Sequence, residues 1–208
     1  MQYKWLNRQN NKKLIVFFNG WGMAENIVQH LDCSCFDVLV LFDYRTFDFV
    51  NIDFSFYEEK NLIAWSMGVY VCSRFYEKFK DFNRFIAING TQKPIDDNYG
   101  IPVMIYNLTV ENFNELSCSK FMKKISSDID LKNYCSRSLE ALKEELIEIR
   151  DLKIKNRLKF DKAIISKKDR IFPYKNMRKF WNEESADIVE LDAPHSIFDL
   201  FQNWSDLL

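Results

Sequence analysis

The sequence predicts an α/β domain: a mostly parallel sheet with helices on both faces and a helical insertion near its middle. Three observations carry this. Short runs that are apolar on both faces recur along the chain and alternate with amphipathic stretches, as expected of strands buried between two helical layers. Small and turn-forming residues close each apolar run. After Pro102 the alternation gives way to about fifty residues of more polar, helical character before strands resume.

The first element, residues 1–8, alternates weakly and suits a short edge strand, and Gln9 to Lys13 is a polar turn. Leu14 to Phe18 is an unbroken run of five apolar residues between turn residues, a buried strand. It opens into the loop Asn19-Gly20-Trp21-Gly22, with a short helix expected near 25–31. Phe36 to Phe42 is the next buried strand and ends in Asp43-Tyr44-Arg45. Residues 46–57 are aromatic-rich and show no period. Lys60 to Trp65 is a third buried strand. From Met67 to about Lys80, Val69, Val71, Cys72, Phe75, Tyr76 and Phe79 fall on one helical face. Phe85 to Ile88 reads as a strand closed by Asn89-Gly90, and 103–107 as one further short strand. The insertion, about 109–158, includes a helix over Ser138 to Arg150 with Leu139, Leu142, Leu146 and Ile149 in one stripe. It is read as a lid over the strand ends. Lys162 to Ser166 resumes the sheet. A helix from about Tyr174 to Trp181, a last strand over Ile188 to Leu191 and a closing helix over Ser196 to Leu208 complete one domain of 208 residues.

Composition limits the functional classes. Nearly half the residues are apolar, so disorder is not expected, and a formal net charge of −1 offers no global field for nucleic acid. Five cysteines, Cys33, Cys35, Cys72, Cys118 and Cys135, form an odd set without Cys-x-x-Cys spacing and read as free thiols rather than a disulfide framework or metal site. The N-terminus resembles no secretion signal, and no apolar run suits a bilayer span. A soluble, cytoplasmic, monomeric protein is the expectation, with neither metal nor cofactor.

The stretch Leu62-Ile63-Ala64-Trp65-Ser66-Met67-Gly68-Val69 carries the chemistry. A buried strand runs into a serine, a glycine follows two positions later, and a helix begins. A strand–serine–helix turn of this kind lifts a hydroxyl clear of a sheet edge as a nucleophile. Ala64 stands where the usual pattern has glycine, and the stretch by itself would also fit an ordinary exposed serine. Serine acyl transfer needs a base and an acid to orient that base. Of the two histidines, His30 lies in the first short helix, whereas His195 follows the last strand. Asp169 follows the penultimate strand and precedes His195 with room for one helix and one strand between them. Asp192 is too close in sequence to reach the imidazole easily, and Asp161 precedes its strand, at the wrong end of the sheet. Met67, directly after the serine, and Trp21, in the glycine-flanked loop, are the expected backbone donors to an oxyanion. The side chains of Trp21 and Trp65 are expected at the acyl pocket.

Taken together, Phe-Phe-Asn-Gly-Trp-Gly from Phe17, Ala-Trp-Ser-Met-Gly-Val from Ala64, Asn-Gly-Thr-x-x-Pro-Ile-Asp from Asn89, Gly-Ile-Pro from Gly100 and Asp-Ala-Pro-His-Ser-x-Phe from Asp192 resemble the BioG-type pimeloyl-[acyl-carrier-protein] methyl ester esterases of biotin synthesis. The resemblance runs from Phe17 to Phe198 and is weakest over 107–158. It implies an α/β-hydrolase fold, with Ser66 as nucleophile, His195 as base and Asp169 as acid. The implied partner is acyl carrier protein bearing the pimeloyl methyl ester. Such a carrier is acidic. Residues 120–162 hold 12 Lys/Arg against 8 Asp/Glu, densest at Arg150, Lys153, Lys155, Arg157 and Lys159, which are expected to steer it. An acyl thioesterase or general short-chain carboxylesterase shares the same motifs, and so would a catalytically silent binding module of this fold.

Overall fold

The computed structural model describes residues 1–49, 51–125 and 137–208. Cys135 and part of the basic stretch therefore lie outside the described residues. Among the described residues seven strands form one sheet: β1 (Gln2–Asn7), β2 (Lys13–Phe18), β3 (Asp37–Phe42), β4 (Glu59–Trp65), β5 (Arg84–Ile88), β6 (Lys162–Ser166) and β7 (Asp187–Leu191), in the spatial order β1-β3-β2-β4-β5-β6-β7. Only β1 runs antiparallel, against β3; every other pairing is parallel. The central strands are buried on both faces, while β1 and β7 are partly exposed edges. This is the α/β-hydrolase arrangement, with the sheet order reversing at β2, so that the ends of β2 and β4 open onto a common crevice.

Among the described residues six α-helical segments accompany the sheet: α1 (Gly68–Val71), α2 (Tyr76–Phe79), α3 (Val103–Glu111), α4 (Glu115–Ile125), α5 (Leu139–Asp151) and α6 (Tyr174–Glu183). Helices α3, α4 and α5 form the insertion between β5 and β6. Leu142, Leu146 and Ile149 are buried along α5, as their spacing predicts, and Ser138 caps that helix through the Ala141 N–H. One buried apolar cluster runs from the sheet into the insertion. Among the described residues no helix is long and apolar enough to cross a membrane.

Four local expectations are corrected. Residues 103–107 are not a strand but the start of α3: only Tyr106 and Val110 of that helix are buried, and Val103, Met104, Ile105 and Leu108 are exposed. A four-residue apolar run, Val103 to Tyr106, fits either period, and here the chain has already left the sheet by Pro102. The helix expected over Met67–Lys80 is broken, with a tighter 3₁₀ turn at Cys72–Phe75 between α1 and α2. The short helix expected near 25–31 is a 3₁₀ turn over Glu25–Val28. The closing helix is two 3₁₀ turns, Phe198–Leu200 and Trp204–Leu207. Between them the chain extends because the Gln202 carbonyl accepts from the Asp32 N–H and Asn203 pairs alongside Asp32; the Asn203–Asp206 capping box then starts the second turn. Phe49 and Phe54, from the aromatic stretch without a period, pack on Phe79 beside α2.

The turn after β4 is made by contacts from its neighbours. Ser66 has a left-handed backbone (φ +57°), a conformation that costs a non-glycine residue free energy and needs support from its surroundings. A Cβ added at Gly68 would lie 2.5 Å from the Phe18 carbonyl oxygen, and one at Gly90 would lie 2.2 Å from that of Ser66. The Ser66 N–H is meanwhile held by the Ile88 carbonyl. Glycine at position 68 thus lets the helix approach the end of β2, and glycine at position 90 lets β5 run directly beneath the serine. Gly90→Ala should cost about 3 kcal/mol or more, a fall in Tm of roughly 6–12 °C for a chain of this size. An unchanged Tm in thermal denaturation would show that the elbow yields easily.

Candidate active site

Ser66, His195 and Asp169 come from the ends of three different strands and meet in one hydrogen-bonded series. His195 Nε2 lies 2.9 Å from Ser66 Oγ, and His195 Nδ1 lies 2.7 Å from Asp169 Oδ2. All three side chains are almost wholly withdrawn from solvent. Asp169 is held by its own turn: the Ile171 and Phe172 N–H groups donate to Oδ1, leaving Oδ2 for the imidazole. With Oδ2 accepting from Nδ1–H, Nε2 is the nitrogen left without a proton, and it faces the hydroxyl. The Phe172 ring stacks parallel to the imidazole at 6.1 Å, and Trp65 lies on it at 5.2 Å.

The histidine loop is fixed through its backbone. The Trp65 indole Nε1–H donates to the His195 carbonyl at 3.1 Å, and the Asn89 amide donates to the same oxygen at 2.8 Å. Asn89 also donates to Ser166 Oγ and accepts from the Ser166 N–H. One buried side chain therefore ties the ends of β5 and β6 to the loop after β7. Nothing in the sequence beyond the turn-forming Asn-Gly pair marks this role, since all three partners are distant in the chain.

A pocket opens beside Ser66. Its floor is Gly20, Trp21, Trp65, Met67 and His195, and its walls are mostly apolar, with Ile101, Ile105, Tyr106, Phe121, Ile125 and Leu146 prominent. Most of that wall belongs to α3, α4 and α5, so the insertion covers the strand ends. Among the described residues neither the Trp21 nor the Met67 backbone N–H is bonded within the protein. Trp21 follows β2 and Met67 follows the adjacent β4, and both line the pocket beside Ser66, as donors to the charge on a bound carbonyl oxygen must. The Trp21 ring packs edge-on against Phe113 and Phe121, and the Trp65 indole is committed to the histidine loop, so both tryptophans shape the pocket more than they line it with free surface.

The remaining candidates lie apart. His30 is exposed and bonds the Phe198 carbonyl; Asp192 is exposed and paired with Lys168; the Asp161 carboxylate accepts from the Phe85 N–H, at the opposite end of the strands. None of Arg150, Lys153, Lys155, Arg157 and Lys159 borders the pocket. Arg150 pairs with Asp151 and Arg157 with Glu184, while Lys153 and Lys155 border a surface groove with Arg74 and Lys78. Among the described residues the cations that do border it are Lys124 and Arg170, which no local pattern singles out. Glu145 was also illegible: this helix carboxylate is fully buried, and burial pushes it above the ordinary carboxylate range against the pull of Arg137.

Comparison with known proteins bears on the family and the fold. Residues 1–207 match the family described as Pimeloyl-ACP methyl esterase BioG. A Bacteroides fragilis protein named Malonyl-[acyl-carrier protein] O-methyltransferase is 35% identical over 193 residues, covering 88% of this chain; the chain spans only 39% of that protein's length. The crystal structure of BioG from Haemophilus influenzae superposes with a TM-score of 0.90 at 30% identity, covering 100% of this chain and 99% of that one. A lipase-esterase related protein from Clostridium acetobutylicum shares the fold, with a TM-score of 0.65 at 14% identity, covering 93% of this chain and 91% of that one.

Asn89→Ala removes one of two donors to the His195 carbonyl and strands the Ser166 N–H, a loss of about 1–3 kcal/mol. The variant should fold with a lowered Tm, and labelling of its Ser66 by a fluorophosphonate should slow by roughly tenfold or more, since 1.4 kcal/mol is a factor of ten in rate. Labelling at the unaltered rate would mean that Trp65 alone suffices to place the histidine.

Proposed function

The chain belongs to the BioG family of pimeloyl-ACP methyl esterases, and on that premise we propose that it hydrolyses the methyl ester of a pimeloyl chain borne on acyl carrier protein. Ser66 is the nucleophile, His195 the base and Asp169 the acid that orients it. The observation that carries this reading is the Ser66–His195–Asp169 series at the floor of an apolar pocket.

His195 Nε2 takes the Ser66 proton as Oγ attacks the ester carbonyl. The oxygen, now carrying the negative charge, is held by the Trp21 and Met67 N–H groups. The imidazolium, stabilised by Asp169, returns the proton to the departing methoxy oxygen, and methanol leaves an acyl-serine. Water attacks that ester with the same base, and Ser66 is released with a free carboxylate on the carried chain. The chain's own groups handle every proton and electron pair of this route. In biotin synthesis the freed carboxylate would mark the end of chain extension.

A carried pimeloyl methyl ester has two reactive carbonyls, and the thioester is the more labile. Selection then rests on position. The apolar walls contributed by Ile105, Tyr106, Phe121, Ile125 and Leu146 suit a methylene chain entering methyl end first, which would bring that end to Ser66 and leave the thioester and its carrier outside. Lys124 and Arg170, at that pocket, are better placed to meet an acidic carrier than the five cations expected from charge density alone. The Bacteroides protein named as a methyltransferase carries a segment like this chain, in keeping with one enzyme forming a methyl ester that another removes.

Hydrolysis of pimeloyl-carrier methyl ester should release methanol and leave the thioester intact, and Ser66→Ala should lower kcat/KM by about 10⁴-fold or more. Release of the carrier thiol with the methyl ester retained would instead establish a thioesterase, and failure of Ser66 to react with a fluorophosphonate would establish a silent binding module. Reversing both charges, Lys124→Glu with Arg170→Glu, should raise KM for the carrier-linked ester about tenfold, as for charges that steer association, and leave a small aryl ester unaffected. An equal rise for both substrates would remove these residues from carrier docking.

A further inference from the structure

Most of the proposed machinery stands on the sheet. The loop that carries the Trp21 N–H is different, because its outer side rests on the insertion. The Trp21 indole Nε1–H donates to the Leu142 carbonyl at 2.9 Å, and the Gly22 N–H donates to Glu145 Oε2 at 3.1 Å. Both acceptors belong to α5. The other oxygen of the same carboxylate, Oε1, accepts the Tyr44 N–H at 2.8 Å, from the turn after β3. Arg137 closes the group, with Nη2 at 2.8 Å from Glu145 Oε2 and Nη1 at 2.9 Å from Asp43 Oδ1.

A buried ion pair is poor evidence for stability, since apolar side chains of the same volume often serve the fold equally well. What an apolar side chain cannot do is receive two backbone N–H groups arriving from two different loops. A carboxylate does so with its two oxygens. Gly22 has a left-handed backbone (φ +78°) that presents its N–H to α5, and its N–H is the one next to that of Trp21 along the chain. The Gly22 bond holds the Trp21–Gly22 peptide, and the indole bond to Leu142 holds the Trp21 side chain, which together restrict how the preceding peptide, bearing the Trp21 N–H, can turn.

The geometry points to Glu145 as a positioning residue for the oxyanion donor: from within the insertion, it holds the Trp21–Gly22 peptides in the orientation that catalysis needs. The inserted helices are then not only a cover for the acyl chain but a structural part of the reacting centre. This inference rests on the esterase reading above.

The test is Glu145→Gln, which keeps the shape but sets an amide donor against one of the N–H donors or Arg137. Activity is measured on a small aryl ester, per active site titrated with fluorophosphonate, so that unfolded protein does not count. We expect kcat to fall roughly 10- to 100-fold, the scale of a misdirected rather than deleted oxyanion donor, with KM changed less than about twofold. The inhibition constant of a trifluoromethyl ketone, whose adduct with Ser66 carries the oxyanion, should rise by the same factor. If Glu145→Gln does not fold, Arg137→Gln, at the outer edge of the group, should lower kcat in the same direction. Unaltered kcat and ketone affinity per titrated site, in whichever variant folds, would overturn the inference. So would a loss of activity without loss of ketone affinity. Wild-type protein that neither hydrolyses the ester nor binds the ketone, or Ser66→Ala that retains activity, would instead overturn the esterase reading itself.

Discussion

The structure depends on one close approach: the end of β5 passing directly under the carbonyl of Ser66. Gly90 has no room for a Cβ there, and Gly68 has none against the carbonyl of Phe18. Three strand ends and one helix start are thereby held within a few ångströms of one another. A left-handed serine is unfavourable in isolation, and it persists here because its surroundings over-determine it. The Ile88 carbonyl, the glycine beneath and the helix beyond leave the backbone no other path. The serine hydroxyl is directed by the backbone that carries it before any other side chain acts on it.

From that point the site is assembled by side chains acting on backbone. Asn89, next to the glycine that makes the approach possible, reaches β6 and the histidine loop together. Trp65, next to the serine, reaches the same histidine carbonyl. Asp169 is fixed by N–H groups of its own turn before it meets the imidazole. Most polar side chains of this buried region are paired, Ser196 Oγ being an exception, and the low dielectric strengthens those pairs. The insertion completes the arrangement from above. It supplies the apolar walls of the pocket, holds the loop of Trp21 through Leu142 and Glu145, and accepts the Ser196 N–H at the carbonyl of Ile125, directly after the histidine. An element added between two strands thus touches the proposed nucleophile's partners on two sides.

The strands were legible because they are short apolar runs between turn residues, a pattern with one physical meaning when it recurs. The errors fell where a run was too short for its period to show, as at 103–107, or where a distant pairing broke a helix, as at Gln202–Asn203 against Asp32. Charge density directed attention to Arg150 through Lys159, but density along the chain says nothing about which face a cation occupies, and Lys124 and Arg170 are the ones beside the pocket.

The sequence by itself determined the sheet, the elbow and the order of Ser66, Asp169 and His195, because each of these is written in local spacing and in the fixed direction of parallel strands. Only the tertiary structure decided which groups meet: that Asn89 holds the histidine loop, that Glu145 crosses from the insertion to the ends of β2 and β3, and which side chains of the inserted helices wall the pocket beside Ser66. Those contacts join residues separated by up to 123 positions, and hydrogen bonds at such a distance depend on how elements pack, which no local pattern encodes.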